Sequence, residues 1–249
     1  MKKTFWGGRR YCSIDYMLKE RYSEKLYKLS LNGGMTCPNR DGKISEGGCI
    51  FCSAGGSGDF AANFNPDIAK QIEQAKTLVS KKYQGNRFIA YFQAYTNTYA
   101  PVEYLRKLFM DTIMRDDIAI LSIATRPDCL GDDVTKLLAE LNRIKPVWVE
   151  LGLQTINEST ARLINRGYEL SCYDEAVRRL RNIGVEIITH MIIGLPYETK
   201  EDILSTAEYI GKTANGIKLQ LMHILKNTKL LEMYEKGEFK ALTEEEYIE

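Results

Sequence analysis

Among 249 residues there are two histidines, His190 and His223, and both lie far from the cysteines. That scarcity excludes a histidine-built metal centre, and it leaves a zinc site of the usual four ligands hard to complete. Nowhere do eighteen apolar residues run together, and the opening "MKKTFWGGRRYCSIDYM" lacks the apolar core of a secretory signal. No membrane span is expected, and the expected location is the cytoplasm. Excess charge is missing as well: Lys+Arg 34 against Asp+Glu 33. Any affinity for nucleic acid must therefore come from a local patch and not from the field of the whole molecule. No G-x-G-x-x-G follows the first predicted strand, which argues against a dinucleotide-binding doubly wound sheet.

What the chain does contain is "MTCPNRDGKISEGGCIFCSAGGSGDF", with Cys37, Cys49 and Cys52 spaced Cys-x11-Cys-x2-Cys and no fourth cysteine nearby. In a reducing compartment such cysteines are ligands, catalytic groups or buried thiols in preference to disulfides. Three thiolates suit three corners of a [4Fe-4S] cube and leave one iron open to something that is not protein. The surrounding glycines, Gly58 among them, allow the backbone to wrap closely. A zinc knuckle with a distant fourth ligand, or reduced structural thiols, are the alternatives at this point.

Around that loop the chain alternates between two periods. "LYKLSL", "RFIAYFQAY", "IAILSIAT", "VWVELGLQ", "VEIITHMIIGLP" and "GIKLQLMHIL" read as buried strands, and stretches with helical spacing follow them, beginning with "PDIAKQIEQAKTLVSKKY" behind Pro66. Near-continuous apolar strands alternating with amphipathic helices predict an α/β fold with a parallel sheet, a partial (β/α)6 TIM-like barrel. Ligands then belong at the C-terminal ends of the strands, where the cysteine loop follows strand one. Residues 1–25 are expected to form a basic, aromatic arm and 26–249 the barrel. The first 28 residues carry eight Lys/Arg, three Asp/Glu and six aromatics. "LTEEEYIE" opens like a helix with Thr243 as N-cap, and the natural protein is expected to continue beyond it.

With Phe51 just before the last cysteine, the loop resembles that of the radical S-adenosylmethionine (SAM) superfamily, although its first spacing of eleven is longer than that family's usual three. "TRPD" at 125–128, "VELGLQT" at 149–155, "NRGY" at 165–168 and "HMIIGLPYET" at 190–199 stand in the order seen in the subgroup of Elongator, the methylthiotransferases and the oxygen-independent coproporphyrinogen oxidases. The chain is most similar to the short bacterial Elongator-like branch without an acetyltransferase domain. The resemblance implies that SAM chelates the open iron, that a reduced cluster cleaves the sulfonium to a 5'-deoxyadenosyl radical, and that an electron donor such as flavodoxin or ferredoxin supplies the electron. It also implies roles: Gln154 at the ribose, Arg166 at the methionyl carboxylate, Gly194 and Pro196 beside the adenine. Gln93 or Thr96 would offer an oxygen where the subgroup usually has a glycine pair.

His190 occupies the place of a histidine in that branch and is a candidate for the cofactor or the substrate; the alternative is a hydrogen-bonded core residue. His223 is read as structural. The catalytic group is unassigned, with His190 and Tyr95 as candidates, and Tyr95 and Tyr99 are candidates to floor a substrate pocket. Cys12, Cys129 and Cys172 read as isolated thiols, and the arginines at 178, 179 and 181 as a solvated helix face. The resemblance and the aromatic, cationic arm together favour tRNA base modification, with the wobble uridine as one target. A radical enzyme acting on a small molecule or tetrapyrrole, and a non-catalytic iron-sulfur or zinc RNA-binding module, are the rival readings.

Overall fold

A computed structural model of the chain describes residues 5–56, 61–83 and 85–248. Met1 to Thr4 of the arm, Gly58 of the glycine run and Glu249 lie outside the described residues. Six strands, β1 (Tyr27–Leu31), β2 (Phe88–Phe92), β3 (Ile118–Thr125), β4 (Val147–Gln154), β5 (Glu186–Ile193) and β6 (Gly216–Leu221), form one parallel sheet in sequential order. β1 and β6 are its two edges, so the sheet curls into a half-barrel, as the alternation predicts.

Helices α2 (Ile68–Val79), α3 (Val102–Ile113), α4 (Asp132–Asn142), α5 (Glu158–Leu163), α6 (Leu170–Asn182) and α7 (Lys200–Thr213) fill the connections, after α1 (Ile14–Tyr22) and before α8 (Lys229–Glu235) and α9 (Glu244–Ile248). Their starts follow ordinary capping chemistry. Asp67 accepts from the backbone N–H of Ala69 and Lys70, so it is the residue after Pro66 that caps α2. Thr199 and Asp202 form a reciprocal capping box at α7, and Thr243 and Glu246 do the same at α9, where the sequence placed its N-cap.

The main apolar cluster lies between the convex face of the sheet and its helices, with Leu29, Phe92, Leu121, Val149 and Ile187 on the sheet side and Ile72, Leu105, Leu137 and Leu180 on the helices. A second cluster holds part of the arm against the barrel. Leu18 is buried with Leu26, Ile89, Ile120 and Trp148, residues at or just before the N-terminal ends of their strands. Arg21 pairs with Glu186, the first residue of β5. Helix α1 therefore plugs the end of the half-barrel opposite the cysteine loop, because its few apolar side chains find a greasy opening there. What remains of the arm is the stretch from Phe5 to Ser13, in which Phe5 and Tyr11 are exposed. Among the described residues no helix is long and apolar enough to cross a membrane.

Candidate functional site

A cavity of about 270 Å³ opens at the C-terminal ends of the strands and is lined by Cys37, Cys49, Cys52, Phe51, Gln93, Tyr95 and Thr96. Gln154, Arg166, His190 and His223 border it as well. The loop that carries the cysteines is held from outside by the "NRGY" segment. Asn165 donates to Ser45 Oγ at 3.0 Å and to the Gly48 carbonyl at 2.9 Å, and Asn39 donates to the Asn165 carbonyl at 2.5 Å. Asn39 also donates to Cys49 Sγ at 3.6 Å. Gly167 stands at φ +81°, and a Cβ there would meet Asn39 Oδ1 at 2.8 Å, so glycine is required for this close approach.

All six cysteines are free. Burial pushes the Cys49 thiol up to about 12, and the neighbouring Cys52 and Cys37 add to the effect. Thiols in this state are neutral until a cation arrives to hold them as thiolates. Among the described residues no three His, Cys, Asp or Glu side chains converge on a single point as they would around one metal ion. Cys37, Cys49 and Cys52 line one pocket.

Gln154 ends β4 at a bulge and adopts φ +70°, a left-handed conformation that costs a non-glycine residue of order 1–3 kcal/mol. Its Oε1 is buried and has no hydrogen-bond partner. An orphaned acceptor on a strained backbone, facing a cavity, is a place prepared for a ligand's donor. Tyr95, at φ +60°, lies against Gly56, donates its hydroxyl to the Ala54 carbonyl at 2.6 Å and carries the Arg40 guanidinium 5.6 Å from its ring. Thr96 N–H reaches the Thr36 carbonyl at 3.2 Å, so the segment after β2 is tied to the start of the cysteine loop.

Other residues fall in places the sequence did not suggest. Arg166 is 1% exposed, and four of its N–H groups are already spent on the carbonyls of Tyr168, Leu153 and Thr155 and on Glu158. One donor at most remains for a carboxylate, and the residue chiefly braces the pocket wall. Gly194 and Pro196 are not among the described residues lining the cavity; a Cβ at Gly194, which stands at φ +91°, would meet Leu242 at 3.1 Å. Tyr99 lines a separate groove with Lys43 and Cys129 and so does not floor the cavity. His223, read from sequence as structural, is exposed at the cavity rim.

The inner end of the cavity holds a charged group that sequence reasoning missed. Glu150 of β4 is fully buried and accepts from Lys28 at 2.5 Å, from Ser122 Oγ at 2.6 Å and from His190 Nε2 at 2.8 Å. Burial works against its charge, but the His190 hydrogen bond and the ammoniums of Lys28 and Lys218 outweigh it and hold the carboxyl well below the usual range. Burial lowers His190, with Glu150 opposing, so the imidazole is neutral near pH 7. The available signal was one acidic residue inside the otherwise apolar "VWVELGLQ".

Comparison with known proteins agrees with this geometry. Residues 37–210 match the radical SAM superfamily model and residues 214–249 the radical SAM C-terminal domain. The chain is 47% identical to the Bacillus subtilis protein YtqA over 97% of its own length and 75% of that protein's. It is 28% identical over 137 residues to the tRNA uridine(34) acetyltransferase of Methanocaldococcus infernus, which covers 52% of this chain and 24% of that one. Among solved structures it is similar to the archaeal Elp3 of Methanocaldococcus infernus (TM-score 0.66, 20% identity, 90% of this chain) and to the coproporphyrinogen III oxidase HemN of Escherichia coli (TM-score 0.57, 17% identity, 93%). This chain spans 52% of each of those two. The half-barrel with its cysteine loop at the C-terminal rim, and the family match over most of its length, place this chain among the enzymes of the radical SAM superfamily.

Proposed function

We propose that this protein binds a [4Fe-4S] cluster through Cys37, Cys49 and Cys52 and cleaves SAM reductively in order to modify a base of tRNA, with the wobble uridine as the first target to test. The observation that carries the first half is the shared cavity: three free cysteines and Gln154, whose Oε1 is unpartnered, line it together. When bound, the cluster and SAM supply reductive cleavage to a 5'-deoxyadenosyl radical, with the electron from a donor such as flavodoxin or ferredoxin.

The chain's own residues position and shield. Gln154 Oε1 accepts from a ribose hydroxyl. The remaining N–H of Arg166, with Gln93 and Thr96, faces the methionyl end. Phe51 and Tyr95 cover the cluster side and keep water out. The tRNA half rests on similarity to the tRNA uridine(34) acetyltransferase, and on exposed Phe5 and Tyr11, the latter with Arg9 5.8 Å from its ring. Such a pair can stack an unpaired base and neutralise phosphate.

The test is the electron paramagnetic resonance spectrum of anaerobic, reduced protein with and without SAM, with 5'-deoxyadenosine assayed in the same tubes. A [4Fe-4S]+ signal that changes on adding SAM, together with 5'-deoxyadenosine, is expected, and both vanish in Cys49→Ala. Zinc without sulfide would refute the assignment. Nucleoside mass spectrometry of tRNA from cells lacking the gene tests the substrate: an unchanged nucleoside profile counts against tRNA.

A further inference from the structure

The inner end of the cavity carries one more positive charge than negative. β1 and β6 do not pair, so the half-barrel is open along a seam between its edges. Lys28 of β1 and Lys218 of β6 reach across that opening to the same carboxylate, with Nζ 2.5 Å and 3.6 Å from the oxygens of Glu150, and both lie over the Tyr91 ring at 4.3 and 4.8 Å. Two ammoniums thus share one carboxylate.

Glu150 has little left to give. Its Oε1 holds Lys28 and Ser122, and its Oε2 holds His190. Lys218 keeps one short hydrogen bond, to Tyr91 Oη at 2.9 Å, and its approach to Glu150 is too long to count as a second. An ammonium has three donors, so two have no close acceptor among the described residues. Lys218 borders the same cavity as the cysteines, and Gln220, two residues along the same strand face, borders it too. Burial and Lys28 depress the Lys218 ammonium against the pull of Glu150, as expected of a cation short of counter-charge.

Taking the cavity as the substrate site of the radical enzyme described above, we propose that Lys218, braced by Tyr91 and Glu150, receives a carboxylate on the substrate, which on the tRNA reading means a base that already carries one, with Gln220 donating to its second oxygen. One unit of excess charge matches a carboxylate. A phosphate monoester carries about −1.5 to −2 at pH 7 and would overcompensate beside Glu150. A phosphodiester is flanked by sugars on both sides and cannot end in a cavity of this size.

The chain's two histidines make the test direct, because the imidazole nitrogens of His190 and His223 can be resolved by nitrogen-15 NMR and assigned with His223→Gln. His190 touches Glu150, which touches Lys218, so an anion at Lys218 shifts His190. Sodium acetate is titrated into cluster-loaded protein with and without SAM, against sodium chloride at matched ionic strength. Acetate is expected to give a saturable shift at His190 that chloride does not, and Lys218→Gln to weaken it about tenfold, as for loss of one charge-assisted hydrogen bond. Inorganic phosphate at alkaline pH is expected to bind more weakly than acetate. The proposal is overturned by any of three results: no acetate-specific shift, equal affinity in Lys218→Gln, or a response that SAM abolishes, which would assign Lys218 to the cofactor's own carboxylate. Should Lys218→Gln fail to fold, Gln220→Leu decides, with an expected loss of about threefold for one neutral hydrogen bond and unchanged affinity counting against the site. 5'-Deoxyadenosine release in the same samples reports on the radical reading separately: acetate binding without it removes that reading and keeps the subsite, and the converse removes the subsite alone.

Discussion

Replacing Glu150 by glutamine keeps the side chain's shape and one acceptor but removes the only carboxylate that Lys28 and Lys218 share. Breaking a buried ion pair by deleting one partner costs about 3–5 kcal/mol, because the other charge is left uncompensated. The lower end applies here. The side chains of Lys28 and Lys218 are 28% and 34% exposed, so their ammoniums can turn toward water along the open seam. About 3 kcal/mol in a chain of this length corresponds to a fall in Tm of about 6–12 °C. The assay is thermal melting of cluster-loaded protein by circular dichroism under argon, at one scan rate. The pH dependence has a definite sign. Glu150 is held below its unfolded value, so its contribution is fully present above about pH 4.3 and is lost as pH falls through the folded value. The gap between wild type and Glu150→Gln should therefore hold steady from about pH 7 to 8, above the titration of the neighbouring His190, and shrink in acid as Glu150 is protonated. Adding Lys218→Met should recover part of the loss by removing the stranded cation. A fall in Tm under about 2 °C, which corresponds to less than 1 kcal/mol, would refute the reasoning. So would a gap that persists in acid or a double variant no more stable than the single one.

Gln154→Gly relieves the left-handed strain at φ +70° and should raise Tm by a few degrees, yet weaken SAM binding by about tenfold through loss of the buried acceptor; calorimetric titration with SAM checks the second effect. Asn165→Ala removes two hydrogen bonds to the cysteine loop and places alanine at φ +55°, for a cost of about 2–3 kcal/mol; faster iron loss to a chelator is the expected reading. Burial depresses His190 below its unfolded value, so stability should decline as pH falls below about 6.5, and His190→Gln should flatten that slope in urea melts taken from about pH 7 down to 5.

The alternation of apolar strands with amphipathic stretches is a local property, and it was enough to predict six parallel βα units and the placement of the cysteine loop at their C-terminal rim. Cys37, Cys49 and Cys52 announced themselves by spacing, and Gln154 by its motif; in the folded chain all four face one cavity. The helical content of the basic arm could also be read locally, but not its destination. Leu18 and Met17 meet Trp148 and Ile120 only once the half-barrel presents an apolar opening at its far end.

Charge pairing across the interior is decided by register, which no local pattern encodes. Lys28 and Glu150 are 122 residues apart, and Lys218 lies 127 residues from Tyr91, yet the curl of the sheet brings side chains from β1, β2, β4 and β6 together across its interior. Arg166 shows the same limit. Its motif suggested a ligand contact, whereas the carbonyls that absorb its donors come from the β4 end and from Tyr168, placed there by the bulge and the turn. By itself the sequence determined the fold class, the thiol loop and the strand ends where chemistry happens, because periodicity and spacing act over a few residues. Only the tertiary structure decided which charges share a dry interior and which donors remain for a ligand, because those depend on distances between strands that the chain order leaves open.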